Sequence, residues 1–345
     1  MLLRLVLKML CENLTQNKLT ASTLNFVMSL SFFFLSGLTM ASEHLAGEPV
    51  FIGAMSCGTS TCHGARSESS VSNILRNEFN TWYENDPHSQ SYKALTSPLG
   101  RQIGQNLGIE DTSSDTMCTN CHITPANGHE VSENFDPSEG VSCEGCHGPA
   151  SLWLKPHSDH NTNANLLALG MRPTWIPDQR ANLCLSCHLG SGEGQVVTHK
   201  IMAAGHPRLV FELATFSRIQ PAHYKVDADY RSRKPEAQEI NVWAIGQIMA
   251  ARQFLDLVKN HGSVENSLFP EFTFYECHTC HHSVDTVRWQ TRRSNPLGPG
   301  RPRLNDSTIL MSISLLKIVA PESSEKLTAL IKQLHISSSA NVRKL

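Results

Sequence analysis

The stretches Cys118–His122, Cys-Thr-Asn-Cys-His, and Cys143–His147, Cys-Glu-Gly-Cys-His, lie close together in this 345-residue sequence. In such a Cys-x-x-Cys-His unit, the two thiols add across the vinyl groups of one haem, and the histidine becomes the proximal ligand of the iron. The unit recurs at Cys184–His188 and Cys277–His281, and a stretched form at Cys57–His63 has four residues between its cysteines. We call these five units cassettes, numbered in chain order. They predict five covalently attached c-type haems.

The cassettes supply every predicted haem-attachment residue. A Cys-x-x-Cys pair can also be half of a zinc ribbon or a thioredoxin-type redox site, but neither requires a histidine directly after the second cysteine. Here each pair has that histidine. The predicted thioether cysteines are Cys57, Cys62, Cys118, Cys121, Cys143, Cys146, Cys184, Cys187, Cys277 and Cys280. The predicted proximal iron ligands are His63, His122, His147, His188 and His281.

The N-terminal segment, residues 1–41, has the pattern of an export signal. Basic residues are followed by a run with no charge from Leu19 to Ser42, and Ala41 suits cleavage by signal peptidase. The alternative is an uncleaved membrane anchor, because 24 uncharged residues are long enough to span a bilayer. In either case the body is exported, and we expect a periplasmic location. Cys11 lies in this segment, so no cysteine remains for a structural disulfide.

Helical spacing and frequent loops indicate a mainly α, loop-rich multihaem cytochrome c fold with little β structure. The clearest predicted helix covers residues 240–259, and a second is expected over residues 69–84. We expect a multihaem domain over residues 42–303, with a four-haem core at 55–190 and a fifth-haem extension at 191–303. Residues 304–345 should form a helical tail that is interrupted at Pro321.

The first part of the chain resembles a known family. The first cassette is followed by Trp82 and His88, then by Gly140–Pro149, which reads Gly-Val-Ser-Cys-Glu-Gly-Cys-His-Gly-Pro, and by His157. This order is similar to that of the tetrahaem cytochromes c that accept electrons from hydroxylamine oxidoreductase in nitrifying bacteria. The likeness covers residues 55–190. The stretched first cassette and the fifth haem depart from that family's pattern.

The resemblance also suggests sixth ligands for the irons. It implies that His88 ligates the iron of His147 and that His157 ligates the iron of His63. It further implies a five-coordinate iron at His122, although His129 in the following loop is a candidate cap. His206 and His282 resemble histidines that cap neighbouring irons in larger multihaem proteins, and His199 is a further candidate ligand. The remaining reserve candidates are His160, His223 and His261.

The function that these observations favour is electron transfer. A bis-histidine iron has no open position for a substrate, whereas a five-coordinate iron can bind small molecules. We expect redox partner proteins, for which a membrane quinol oxidoreductase and a terminal reductase are the candidates, and no nucleic acid, since no basic run with interleaved aromatics occurs. The alternatives are an oxidoreductase for a small nitrogen or sulfur compound and a haem subunit of a larger complex. Cassettes 2 and 3 start only 25 residues apart, which favours two haems in near contact.

Overall fold

The computed structural model describes residues 47–70, 74–126, 128–159, 162–192, 195–261, 271–283, 285, 297–298 and 301–340. The predicted export signal therefore lies outside the described residues. The α-helices, in chain order, are α1 Glu78–Asn85, α2 Ser91–Thr96, α3 Pro98–Leu107, α4 Thr116–His122, α5 Cys143–His147, α6 Leu154–Ser158, α7 Asn163–Ala168, α8 Pro177–His188, α9 His199–Ala203, α10 Leu213–Ile219, α11 Ala228–Arg233, α12 Glu239–His261, α13 Ser307–Val319 and α14 Pro321–Ala340.

The predicted fold class, mainly α with many loops, is confirmed. The described β structure consists of two isolated bridges, which join Phe51 to Val131 and Tyr275 to Leu304. The helix expected over residues 69–84 begins only at Glu78, because Arg76 adopts a left-handed φ of 65° that a continuing helix cannot contain. In the part of the chain that the structure describes, no helix combines the length and apolar character needed to cross a bilayer.

Three of the cassettes occupy the last turn of a helix. The proximal histidines of cassettes 2, 3 and 4 are the final residues of α4, α5 and α8. Cassette 1 instead follows a 3₁₀ turn at Ala54–Ser56, and cassette 5 begins on one at Cys277–Thr279. Polar side chains cap the N-termini of several short helices. At the beginning of α4, for example, the carboxylate of Asp115 accepts the backbone N–H of Met117.

The apolar core lies mainly among the three longest C-terminal helices. Residues of α12, α13 and α14 form one buried cluster that includes Leu255, Ile309 and Leu327, each at most 1% exposed. A second cluster packs α8 and α10 against α12 and contains Leu185 and Leu213. The helix that carries cassette 4 is therefore fixed to the C-terminal helices by ordinary hydrophobic contact.

Candidate haem-iron sites

Each of the five proximal histidine rings faces a second histidine ring. The ring centroids are 6.0 Å apart for His63 and His157, 6.3 Å for His122 and His206, 6.2 Å for His147 and His223, 6.0 Å for His188 and His88, and 6.1 Å for His281 and His199. We name these pairs, each with the cysteines of its cassette, sites 1 to 5 in cassette order.

These distances fit an iron held between two imidazoles. Metal–imidazole bonds are about 2 Å long, and each ring centroid lies roughly 1 Å behind its ligating nitrogen, so two axial imidazoles have centroids about 6 Å apart. All five pairs lie within 0.3 Å of this value. The donor set is also that of a c-type haem, with two thiols and a histidine in each cassette. The residues present therefore fit five haems.

The ring orientations divide the sites into two groups. The two imidazole planes are nearly parallel at sites 1 and 5, with interplanar angles of 16° and 28°. They are nearly perpendicular at sites 2, 3 and 4, with angles of 87°, 88° and 87°. The protein thus sets the relative orientation of the two rings differently at different sites.

Hydrogen bonds occupy the Nδ1 atom of several of these histidines. Nδ1 of His63 lies 2.9 Å from a carboxylate oxygen of Glu78, and Nδ1 of His88 lies 2.8 Å from Asp86. At site 2, Nδ1 of His122 lies 2.9 Å from the carbonyl oxygen of Ser91, and Nδ1 of His206 lies 2.8 Å from that of Pro207. Since an oxygen acceptor requires N–H at Nδ1, each ring keeps Nε2 free of a proton for a metal.

Burial also favours the neutral imidazoles that metal binding requires. Burial, with smaller contributions from electrostatic interaction with His223 and Lys234, lowers the pKa of His147 to about 3. Burial likewise lowers the pKa of His122 and of His188. The hydrogen bond to Glu78 raises the pKa of His63, and the bond to Asp86 raises that of His88. The pKa values of these histidines therefore shift in opposite directions, down where burial dominates and up where a carboxylate contacts the ring.

Thiol contacts show which cassettes are neighbours. The side chains of Cys57 and Cys143 lie close enough to interact, so sites 1 and 3 are neighbours. The same holds for Cys121 and Cys187 of sites 2 and 4, and Sγ of Cys187 lies 3.9 Å from the carbonyl oxygen of Asn120 in cassette 2. Cys146 also interacts electrostatically with Cys184, so sites 3 and 4 are neighbours. Cassettes 2 and 3, expected to be in near contact from their spacing, each have a cysteine close to a cysteine of a different cassette.

Site 5 is connected to site 2 through α9. His199 is the first residue of this helix, and His206 follows seven residues later, a separation of at most about 25 Å even for an extended chain. The backbone N–H of His199 donates to Glu271, and Thr273 donates to the carbonyl of Val197. These bonds fix the segment before cassette 5 against the start of α9.

The structure differs from the expected ligand pairs in a specific way. His157 faces His63, as the resemblance implied. His88, however, faces His188 rather than His147, and the reserve candidate His223 takes the position opposite His147. His206 faces His122, the iron that the resemblance left five-coordinate.

Two candidate distal ligands lie elsewhere. The ring of His129 packs edge-on against Phe51 with centroids 5.5 Å apart, and it lines a cavity of about 570 Å³ that also contacts Asn120 and Gln195. His282 is exposed, and its Nδ1 lies 2.8 Å from the carbonyl of Ser283. The reserve candidate His160 lies outside the described residues.

One buried carboxylate, which the sequence analysis did not single out, holds cassette 3 against the first described segment. Glu144 is fully buried, and its two oxygens accept the backbone N–H groups of Ile52, Gly53 and Ala150. Burial raises the pKa of Glu144, although these three hydrogen bonds oppose the shift. The position of this acid inside a cassette was the only sequence signal for its role.

The comparison with protein families agrees with this geometry. Residues 56–148 match the family model described as cytochrome c554 and c-prime. Over these residues, the chain is similar to that family of c-type cytochromes. The match covers cassettes 1 to 3, well under half of the chain, and supports covalent haem, iron binding and electron transfer with redox partner proteins. No curated protein and no solved structure matches the chain significantly.

Proposed function

We propose that the protein is an exported, periplasmic cytochrome with five c-type haems that carries electrons between redox partner proteins. The observation that carries this proposal is the second histidine opposite every proximal histidine, at 6.0 to 6.3 Å between ring centroids. Two imidazole ligands occupy both axial positions of an iron, and such an iron has no position for a substrate.

When bound, each haem supplies a one-electron ferric/ferrous couple. The protein's own residues fix the environment of that couple. The ten cysteines would hold the haems covalently, and the histidine pairs would ligate their irons. Hydrogen bonds at Nδ1 fix ring orientation and ligand basicity.

The arrangement of the sites supports a carrier. Interactions between their cysteines support the spatial order 1, 3, 4, 2, and α9, which begins at His199, leads from site 5 towards His206 of site 2. This order in space differs from the order in sequence. A continuous series of neighbouring sites with an end at site 1 and another at site 5 suits a protein that meets two partners.

Several further features support the location and partners that we propose. Covalent haem attachment takes place outside the cytoplasmic membrane, and residues 1–41 have an export-signal pattern. A membrane quinol oxidoreductase and a terminal reductase are the classes of partner that such a carrier would connect. The alternative, an oxidoreductase for a small nitrogen or sulfur compound, requires an open iron. Site 2 was the candidate for that role, and His206 faces its proximal histidine.

A pair of variants tests the proposal at site 2. In His206→Ala, we expect one of the five haems to change from low-spin to high-spin and to bind cyanide, because its sixth ligand is lost. In the matched variant His129→Ala, which removes the other candidate cap, we expect the absorption and resonance spectra of the unmodified protein. A high-spin haem in His129→Ala, together with an unchanged spectrum in His206→Ala, would contradict the proposed ligand pair. Rapid turnover of nitrite or hydroxylamine by the unmodified protein would contradict the carrier function.

A further inference from the structure

We propose that Glu78 and Asp86 are positioning residues that lower the reduction potentials of sites 1 and 4 relative to site 2. This inference rests on the proposed function, since it concerns irons that the proposed histidine pairs would hold. Both carboxylates flank one eight-residue helix, α1. Glu78 is its first residue, and Asp86 directly follows its last.

Glu78 contacts the proximal ligand of site 1. Its Oε2 lies 2.9 Å from Nδ1 of His63, and the two side chains are only 16% and 30% exposed. The start of α1 is fixed on the same side, because the backbone N–H of Phe79 donates to the carbonyl of His63. The carboxylate is thus held against the imidazole by both side-chain and backbone contacts.

Asp86 contacts the distal ligand of site 4 and is held more tightly. Its side chain is 4% exposed. One oxygen accepts both Nδ1–H and the backbone N–H of His88, at 2.8 and 3.0 Å. The other accepts Nε2–H of Gln220 at 3.0 Å, from 134 residues further along the chain. Three N–H groups donate to its two oxygens, which favours the ionised form of Asp86.

Site 2 provides the contrast. Both of its imidazoles donate to neutral backbone carbonyls, those of Ser91 and Pro207. A carboxylate draws the Nδ1 proton more strongly than a carbonyl does, which makes Nε2 a stronger electron donor. It also places a negative charge close to the iron. Both effects stabilise the ferric form more than the ferrous form, so sites 1 and 4 should be reduced at lower potential than site 2.

The test is a spectroelectrochemical titration of the purified holoprotein and of the variants Glu78→Gln and Asp86→Asn. Each variant keeps the side-chain shape and removes the charge. In each, we expect one of the five midpoint potentials to rise, with the reduction equilibrium changed about tenfold, which is about 59 mV for one electron. The other midpoints should remain unchanged. The matched control is Asp111→Asn, which neutralises an exposed carboxylate that is bonded to Ser113 and Ser114 of its own loop.

A fourth variant keeps the test decisive if Asp86→Asn fails to fold. Gln220→Leu removes only the amide donor to the second Asp86 oxygen, so the carboxylate should accept more strongly from His88. We expect the midpoint potential of site 4 to fall, with its reduction equilibrium changed by less than tenfold. If the Glu78 and Gln220 variants titrate like Asp111→Asn while all haems remain low-spin, this inference is wrong and the proposed function stands. A high-spin haem in the unmodified protein would instead contradict the proposed function.

Discussion

The cassette-rich part of the chain, residues 47–171 with cassettes 1 to 3, and the helices α12 to α14 are held together by different means. Around cassettes 1 to 3, the buried apolar cluster consists of Ala150, Trp153 and Leu166. The cluster of the C-terminal helices has fifteen buried residues, most of them in α12 to α14. A cluster of three residues is too small to offset the chain entropy of a region this long. The comparison teaches that the first region needs the porphyrins as its core, whereas the second can fold on apolar contacts.

Buried polar contacts in the cassette-rich part agree with this view. Glu144 binds three backbone N–H groups, and Thr124 binds Ser142 at 3.0 Å. Such bonds fix geometry but contribute little net free energy, since the unfolded chain makes equivalent bonds to water. They orient the cassettes for haem without replacing it.

Withholding haem should produce the largest effect. In chain expressed without haem-attachment machinery, we expect residues 47–171 to be digested quickly by protease while α12 to α14 persist longer as a helical fragment, because the latter have the larger apolar core. Limited proteolysis with mass spectrometry measures this. Equal resistance of both parts would contradict the comparison.

A cavity in the second region should have the next largest effect. Leu255 in α12 is fully buried, and Leu255→Ala should lower the free energy of unfolding of the holoprotein by about 2–5 kcal/mol. Urea denaturation followed by circular dichroism measures the loss. The matched control is Ile318→Ala in α13, where the side chain is 82% exposed and we expect little change.

Replacement of the buried acid in the first region should cost less. Glu144→Gln keeps the side-chain volume but weakens the acceptor for three backbone N–H groups, and we expect a loss of about 1.5–3 kcal/mol. Since these groups belong to the segment before cassette 1 and to Ala150, the absorption of the site 1 haem should change as well. A stability loss with five unperturbed haem spectra would limit Glu144 to folding.

The smallest effect should come from a polar contact between the last two helices. Ser324 in α14 donates to the carbonyl of Ile313 in α13 and is 2% exposed. Ser324→Ala should cost about 0.5–1.5 kcal/mol in the same urea assay. The exposed Ser314, which bonds within its own helix, offers a control variant, Ser314→Ala. A Ser324 effect as large as that of Leu255→Ala would mean that polar contacts dominate this region too.

The helical class and the long helix could be predicted because their signals are local. Apolar residues at helical spacing predicted residues 240–259, and the helix runs from Glu239 to His261. The start of α1 could not be predicted, since the conformation of Arg76 depends on its surroundings. The backbone N–H of Ala65, for example, donates to the carbonyl of Arg76.

The proximal and distal histidines of each candidate site also differ in how far the sequence could predict them. A proximal histidine lies next to its cysteines, so spacing alone identifies it. A distal histidine is brought in by tertiary folding, and His223 stands 76 residues after His147 with no motif around it. His88 precedes its partner His188 by 100 residues. Resemblance to a shorter, four-haem family pointed to His157, whose ring faces His63 in the structure, but it could not supply partners that come from the additional C-terminal part.

Electron paramagnetic resonance of the fully oxidised protein tests the central claim most directly, because it counts the irons held by two histidines. We predict only low-spin ferric signals. Parallel imidazole planes separate the energies of two iron d orbitals that perpendicular planes leave nearly equal, so the signals should fall into two classes. Their intensities should stand in the ratio of two to three, from sites 1 and 5 and from sites 2, 3 and 4. A high-spin signal from about one fifth of the iron would contradict the account.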